Sequence, residues 1–105
     1  MIGNQNQENI IKNLEDKYNA DLKTLTQQYE ENEENLNMQI EHLGNQKEEQ
    51  EENASGEESQ RTIKQINKEI QVLEAQKIKN EKQFQKAINK LELKYENKHL
   101  KLNNN

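Results

Sequence analysis

Residues Ile11–Ile40 read IKNLEDKYNADLKTLTQQYEENEENLNMQI, and this stretch decides the fold. Its apolar side chains recur in steps of three, four and four: Ile11, Leu14 and Tyr18, then Leu22, Leu25 and Tyr29, then Leu36 and Ile40, with Glu33 opening the third set. An eleven-residue repeat averages about 3.67 residues per turn, close to the α-helix period, so a helix with this pattern keeps one apolar face along its length. It cannot bury that face on itself and needs a second helix.

Carried forward, the same grid lands on Ile66, Leu73, Phe84, Ile88, Leu91, Tyr95 and Leu102, and on His99. Outside residues 44–62 it covers 20 positions, 15 of them apolar, in a chain that is 29% hydrophobic. That enrichment makes the hendecad a helix signal of high specificity, although it says little about function. The expected partner-helix seam is Ile11, Leu14, Tyr18, Leu22, Leu25, Tyr29, Leu36, Ile40, Leu43, Ile66, Ile70, Leu73, Phe84, Ile88, Leu91, Tyr95 and Leu102. Lys77 and Asn80 are weak positions within it, which cost stability and help fix register.

Residues 44–62 hold a single apolar residue, Ala54. Gly44 and Gly56 each disfavour helix by roughly 1 kcal/mol relative to Ala. Ser55-Gly56-Glu57-Glu58 has the spacing of a capping box, with Ser55 as N-cap and Glu58 reaching back to it. The expected organisation is a disordered N-terminus over 1–6, an acidic coiled-coil helix over 7–52 and a break at 53–56. A basic coiled-coil helix over 57–102 and a tail over 103–105 complete it.

Charge divides along the same lines. Residues 1–43 carry three Lys against nine Asp/Glu, residues 44–62 carry Lys47 and Arg61 against six Glu, and residues 63–105 carry ten Lys against five Glu. An acidic arm and a basic arm attract each other. The fold expected is all-α, an elongated coiled coil of two long helices around a break near Asn53–Gly56. An antiparallel hairpin is preferred; one long, bent, continuous helix is the alternative, because the grid keeps its phase across the break. Hairpin pairing at positions summing to about 109 sets Leu43 against Ile66, Leu36 against Leu73 and Leu25 against Phe84. It also sets Leu22 near Ile88, Tyr18 near Leu91 and Leu14 near Tyr95, and brings Glu33 close to Lys77.

Composition restricts the function classes. The chain has 105 residues, 33% of them charged, no Pro, no Cys and no Trp. Leu, Ile, Val and Phe number 21, while Asn and Gln number 30, which is too little apolar volume for a compact core. The absence of proline permits uninterrupted helix, and the absence of cysteine excludes disulfides and thiolate metal sites. No stretch approaches the roughly 20 apolar residues of a membrane span. Met1–Gln5 lacks the features of a signal peptide, so a cytoplasmic location is expected.

No catalytic constellation is visible, and neither an enzyme nor a cofactor is expected. His42 and His99 are single, in different arms, and read as surface or seam-edge residues. Glu48, Glu49, Glu51 and Glu52 lack the alternating ligands and turn glycine of a calcium loop. The lysines of the second arm are spread around the helix, unlike a nucleic-acid footprint, and the narrow stripe is unlike a lipid-binding face. Ser55 and Ser59 lie among glutamates, a setting for an acid-directed kinase.

The texture of Gln76-Lys77-Ile78-Lys79-Asn80-Glu81-Lys82-Gln83 and of the Asn103–Asn105 tail resembles that of proteins from A+T-rich protist genomes, ciliates among them. Small coiled-coil subunits of ciliary axonemes, for example in the dynein regulatory complex, look like this. The resemblance is compositional and brings no functional residue with it. It implies a non-catalytic structural subunit of a cytoskeletal assembly, such as that of a ciliary axoneme, whose partners are other coiled-coil proteins. No small-molecule substrate, nucleic acid or membrane partner is expected. The alternative is a partly disordered tethering or regulatory segment that folds on binding a partner.

Overall fold

A computed structural model describes residues 2–53 and 56–103, and over these residues the chain forms two α-helices and no strand: α1, Ile2–Asn53, and α2, Glu57–Asn103. The fold is an all-α helical hairpin with its break near residues 54–55. The bent continuous helix is not what forms. α1 begins five residues before the expected start at residue 7, and α2 runs one residue past the expected 102. Gly44 does not interrupt α1, whose hydrogen-bonded ladder continues to Asn53.

The termini of the two helices differ in their electrostatics. α2 has Glu57 and Glu58 in its first turn and Lys101 in its last, the arrangement that complements a helix dipole. α1 has no acidic residue in its first turn and no basic residue in its last, where Glu51 and Glu52 face the negative end of the dipole. The Gly56 carbonyl accepts the first α2 bond, from the Gln60 N–H at 3.1 Å. The N-cap position is therefore Gly56, one residue after the expected Ser55. Ser55 itself lies outside the described residues, as does Ala54.

The hairpin divides into two packed units. The turn unit is Glu30–Lys82, and the terminal unit joins Met1–Tyr29 with Gln83–Asn105. In each, the segments of α1 and α2 run antiparallel. In the turn unit Glu33 meets Lys77 at 3.8 Å, while Leu43 and Leu73 border one groove. In the terminal unit Gln7 reaches Leu102, Tyr18 meets Tyr95 and Tyr29 meets Phe84. The core of each unit is this seam alone: Leu36 and Ile66 in the turn unit, Leu91 and Tyr95 in the terminal unit, each under a tenth exposed.

Candidate functional site

The surface that could carry function in such a chain is the packing seam, so its geometry is built here residue by residue. All 17 expected seam residues are buried or half-buried. In α1 the sheltered positions from Ile11 to Ile40 keep the 3-4-4 steps, Glu33 included, with Thr26 half-buried beside Leu25 as the one addition. In α2 they follow a different rhythm. Ser59, Ile63, Ile66, Ile70, Leu73, Lys77, Asn80, Phe84, Ala87 and Leu91 alternate steps of four and three, a heptad pattern flanked by half-buried Asn67 and Ile88, before Tyr95, His99 and Leu102 return to the longer repeat. Over α2 the hendecad grid consequently misplaces three positions. It points to Glu58, Thr62 and Glu69, which are exposed, whereas Ser59, Ile63 and Ile70 are sheltered.

In the terminal unit the seam is aromatic. The Tyr18 and Tyr95 rings meet edge to face, centroids 5.5 Å apart at 73°. The Tyr29 and Phe84 rings stack at 4.4 Å with planes 13° apart. Both contacts lie four residues, one helical turn, beyond the pairings expected for Tyr18 with Leu91 and Leu25 with Phe84. Leu14 still borders the same groove as Tyr95, together with Glu15, Glu92 and His99. The Tyr95 hydroxyl donates to Asp21 Oδ2 at 2.7 Å, and Lys94 and Lys98 place their Nζ atoms 5.5 and 5.3 Å from the Tyr95 ring centroid. The pKa of Tyr95 is raised, first by the hydrogen bond to Asp21, then by burial, then by the negative charge of Asp21. At the open end, Gln7 Nε2 donates to the Leu102 carbonyl at 3.1 Å.

In the turn unit the seam is aliphatic with polar interruptions. The expected neighbours Glu33 and Lys77 form an ion pair at 3.8 Å. Asn80 is half-buried, and its Oδ1 accepts from Gln76 Nε2 at 3.1 Å, a bond made within its own helix. The seam also enters the stretch that reads as a polar break: Lys47 and Gln50 are half-buried, and Ser59 is 7% exposed. Sequence reasoning missed these because none is apolar. Extending the four-three steps of Ile63, Ile66, Ile70 and Leu73 back by four residues would have found Ser59. Its burial also removes it as a kinase site in the folded chain; Ser55 lies outside the described residues.

The histidines belong to different units. His42 is exposed and shares a hydrogen bond with Gln46 Nε2 at 3.2 Å, and His99 is half-buried at the seam edge. Among the described residues no group of three or more His, Cys, Asp or Glu is placed to hold a metal ion, and no helix is long and apolar enough to cross a membrane. Shallow grooves flank the seam, among them one of about 470 Å³ beside Leu43 and Leu73 and one of about 550 Å³ beside Gln50 and Ile66 in the turn unit, and one of about 290 Å³ beside Tyr18 and Tyr95 in the terminal unit. Comparison of the chain with protein-family models, with curated proteins and with solved structures finds no match.

Proposed function

We propose that this protein is a non-catalytic structural element that acts by helix–helix packing as a subunit of a larger cytoskeletal assembly. One observation carries the reading: among the described residues, the buried side chains of each unit lie along the seam between its α1 and α2 segments, and no large side chain is fully enclosed. Helix pairs organised this way have little interior, so their chemistry is the chemistry of contact. Apolar side chains supply the attraction, and charges select orientation and register. The compositional resemblance to small axonemal coiled-coil subunits makes the ciliary axoneme the first assembly in which to look.

The test is incorporation. Leu25→Asp or Phe84→Asp puts a charge into the half-buried seam and should abolish uptake of the labelled chain into the assembly, whereas Glu30→Gln on the exposed face should be silent. Cross-linking followed by mass spectrometry should return helical partners. Equal effects of the seam and surface changes would sink the reading.

A further inference from the structure

Within the turn unit, the grooves of about 470 and 550 Å³ adjoin, because Gln65 and Glu69 line both. Together they form one trough, from Gln39 to Gln50 along α1 and from Arg61 to Leu73 along α2. That is about three turns of each helix. Leu43, Ile66 and Leu73 line it from the seam, and Val72, 68% exposed, adds an aliphatic wall. Met38 and Ile78, the other large apolar residues exposed on this unit, do not line it.

An apolar trough does not name its occupant by itself. Charge does. The walls are balanced, Glu49 and Glu69 against Arg61 and Lys68. The turn end of the trough is not. Residues 48–60 hold six Glu and no Lys or Arg. α1 also ends there, with the negative pole of its dipole and no basic residue in its last turn. Over the whole unit fourteen acidic side chains outnumber seven basic ones, a net of −7. A segment entering this field is favoured by positive charge, and by turning the positive end of a helix dipole toward the turn.

Resting on the packing role proposed above, we propose that this trough docks a basic amphipathic helix of a partner protein. The helix lies between α1 and α2 with its apolar ridge on Leu43, Ile66, Val72 and Leu73. Its N-terminus and its Lys or Arg side chains point toward the turn. Docking takes Val72 out of water and neutralises glutamates that repel one another and the end of α1.

Two synthetic helices of about four turns probe the site. Both carry leucine at alternating third and fourth positions; one is otherwise lysine, the other otherwise glutamate. Fluorescence anisotropy with the full-length chain should show saturable, one-to-one binding of the lysine peptide. Its affinity should exceed that of the glutamate peptide by roughly tenfold or more and fall as salt is added. Val72→Arg should weaken it by about tenfold or more. Ile78→Arg changes the charge equally outside the trough and should leave it unchanged, and circular dichroism of both variants should match the parent. A photo-cross-linker at the peptide N-terminus should label the turn end of the trough, near Gln50 and Arg61. Equal binding of the two peptides, equal effects of the two arginine substitutions, or labelling outside the trough would overturn the proposal. So would dimerisation of the parent chain that Val72→Arg abolishes, which would put a second copy in the trough. If the lysine peptide does not bind while Leu25→Asp still abolishes incorporation, the docking site falls and the packing role stands. If seam variants are incorporated as the parent is, the packing role itself fails.

Discussion

Tyr95 concentrates most of the specific chemistry of the terminal unit: an edge-to-face contact with Tyr18, a hydrogen bond to Asp21, and two lysines near its ring. The Asp21 carboxylate accepts from the phenol and repels the phenolate, so the folded state holds the proton more tightly than the unfolded chain does. This contribution to stability is fully present below the ordinary phenol value of about 10 and is lost as pH rises through the higher folded value. An absorbance titration of tyrosinate should show one of the three tyrosines ionising late. Asp21→Asn should return it toward the ordinary range, and Tyr95→Phe should remove the late phase. A titration unchanged by Asp21→Asn would contradict the assignment. At the same scale, the hydroxyls of Thr24, Thr26 and Thr62 each donate to the carbonyl four residues back, at 2.8–3.1 Å, which lets polar β-branched residues sit inside helices.

At the scale of the element, the two described central glycines do opposite things. Gly44 is inside α1, and a methyl group built on it meets nothing within 4 Å, with no positive φ to oppose a side chain. Gly44→Ala should therefore stabilise the fold by about 1 kcal/mol through helix propensity. For a chain of this size that is a rise of roughly 4–8 °C in Tm. Gly56 caps α2, where Ala is a poorer choice than Gly and Ser a better one. Gly56→Ala should cost roughly 0.5–1 kcal/mol and Gly56→Ser should gain a few tenths. Thermal melts of the three variants check the contrast, and a gain for both alanine substitutions would mean that Gly56 lies inside a continuous helix. The helices also differ in period. The 3-4-4 steps of α1 drift less from a straight α-helix than the four-three steps of α2.

For the molecule as a whole, the Glu33–Lys77 pair bears on specificity more than on strength. Its side chains are 20% and 33% exposed, so the pair contributes about 1 kcal/mol or less. Replacing both with Leu should raise stability by about 1–3 kcal/mol in urea unfolding, since apolar side chains suit the seam better. The same double variant should lose uniqueness and show additional oligomeric species on size exclusion, because an unbroken apolar stripe accepts shifted and intermolecular pairings. A more stable variant that still runs as one species would assign register to the turn alone.

By itself the sequence determined the helices, their apolar face, the break, the preferred hairpin and the meeting of Glu33 with Lys77. These follow from local periodicity, from residues unsuited to a helix interior, and from charge order along the chain. Only the tertiary structure decided that Tyr18 meets Tyr95, that Phe84 stacks on Tyr29, and that Ser59, Lys47 and Gln50 belong to the seam. A helical face sees several residues of the opposing helix about one turn apart, so the chosen contact depends on relative rotation and rise, which no single arm encodes. Polar seam residues stay hidden for a related reason: periodicity is read through apolar side chains, whereas burial is set by position against the neighbouring helix.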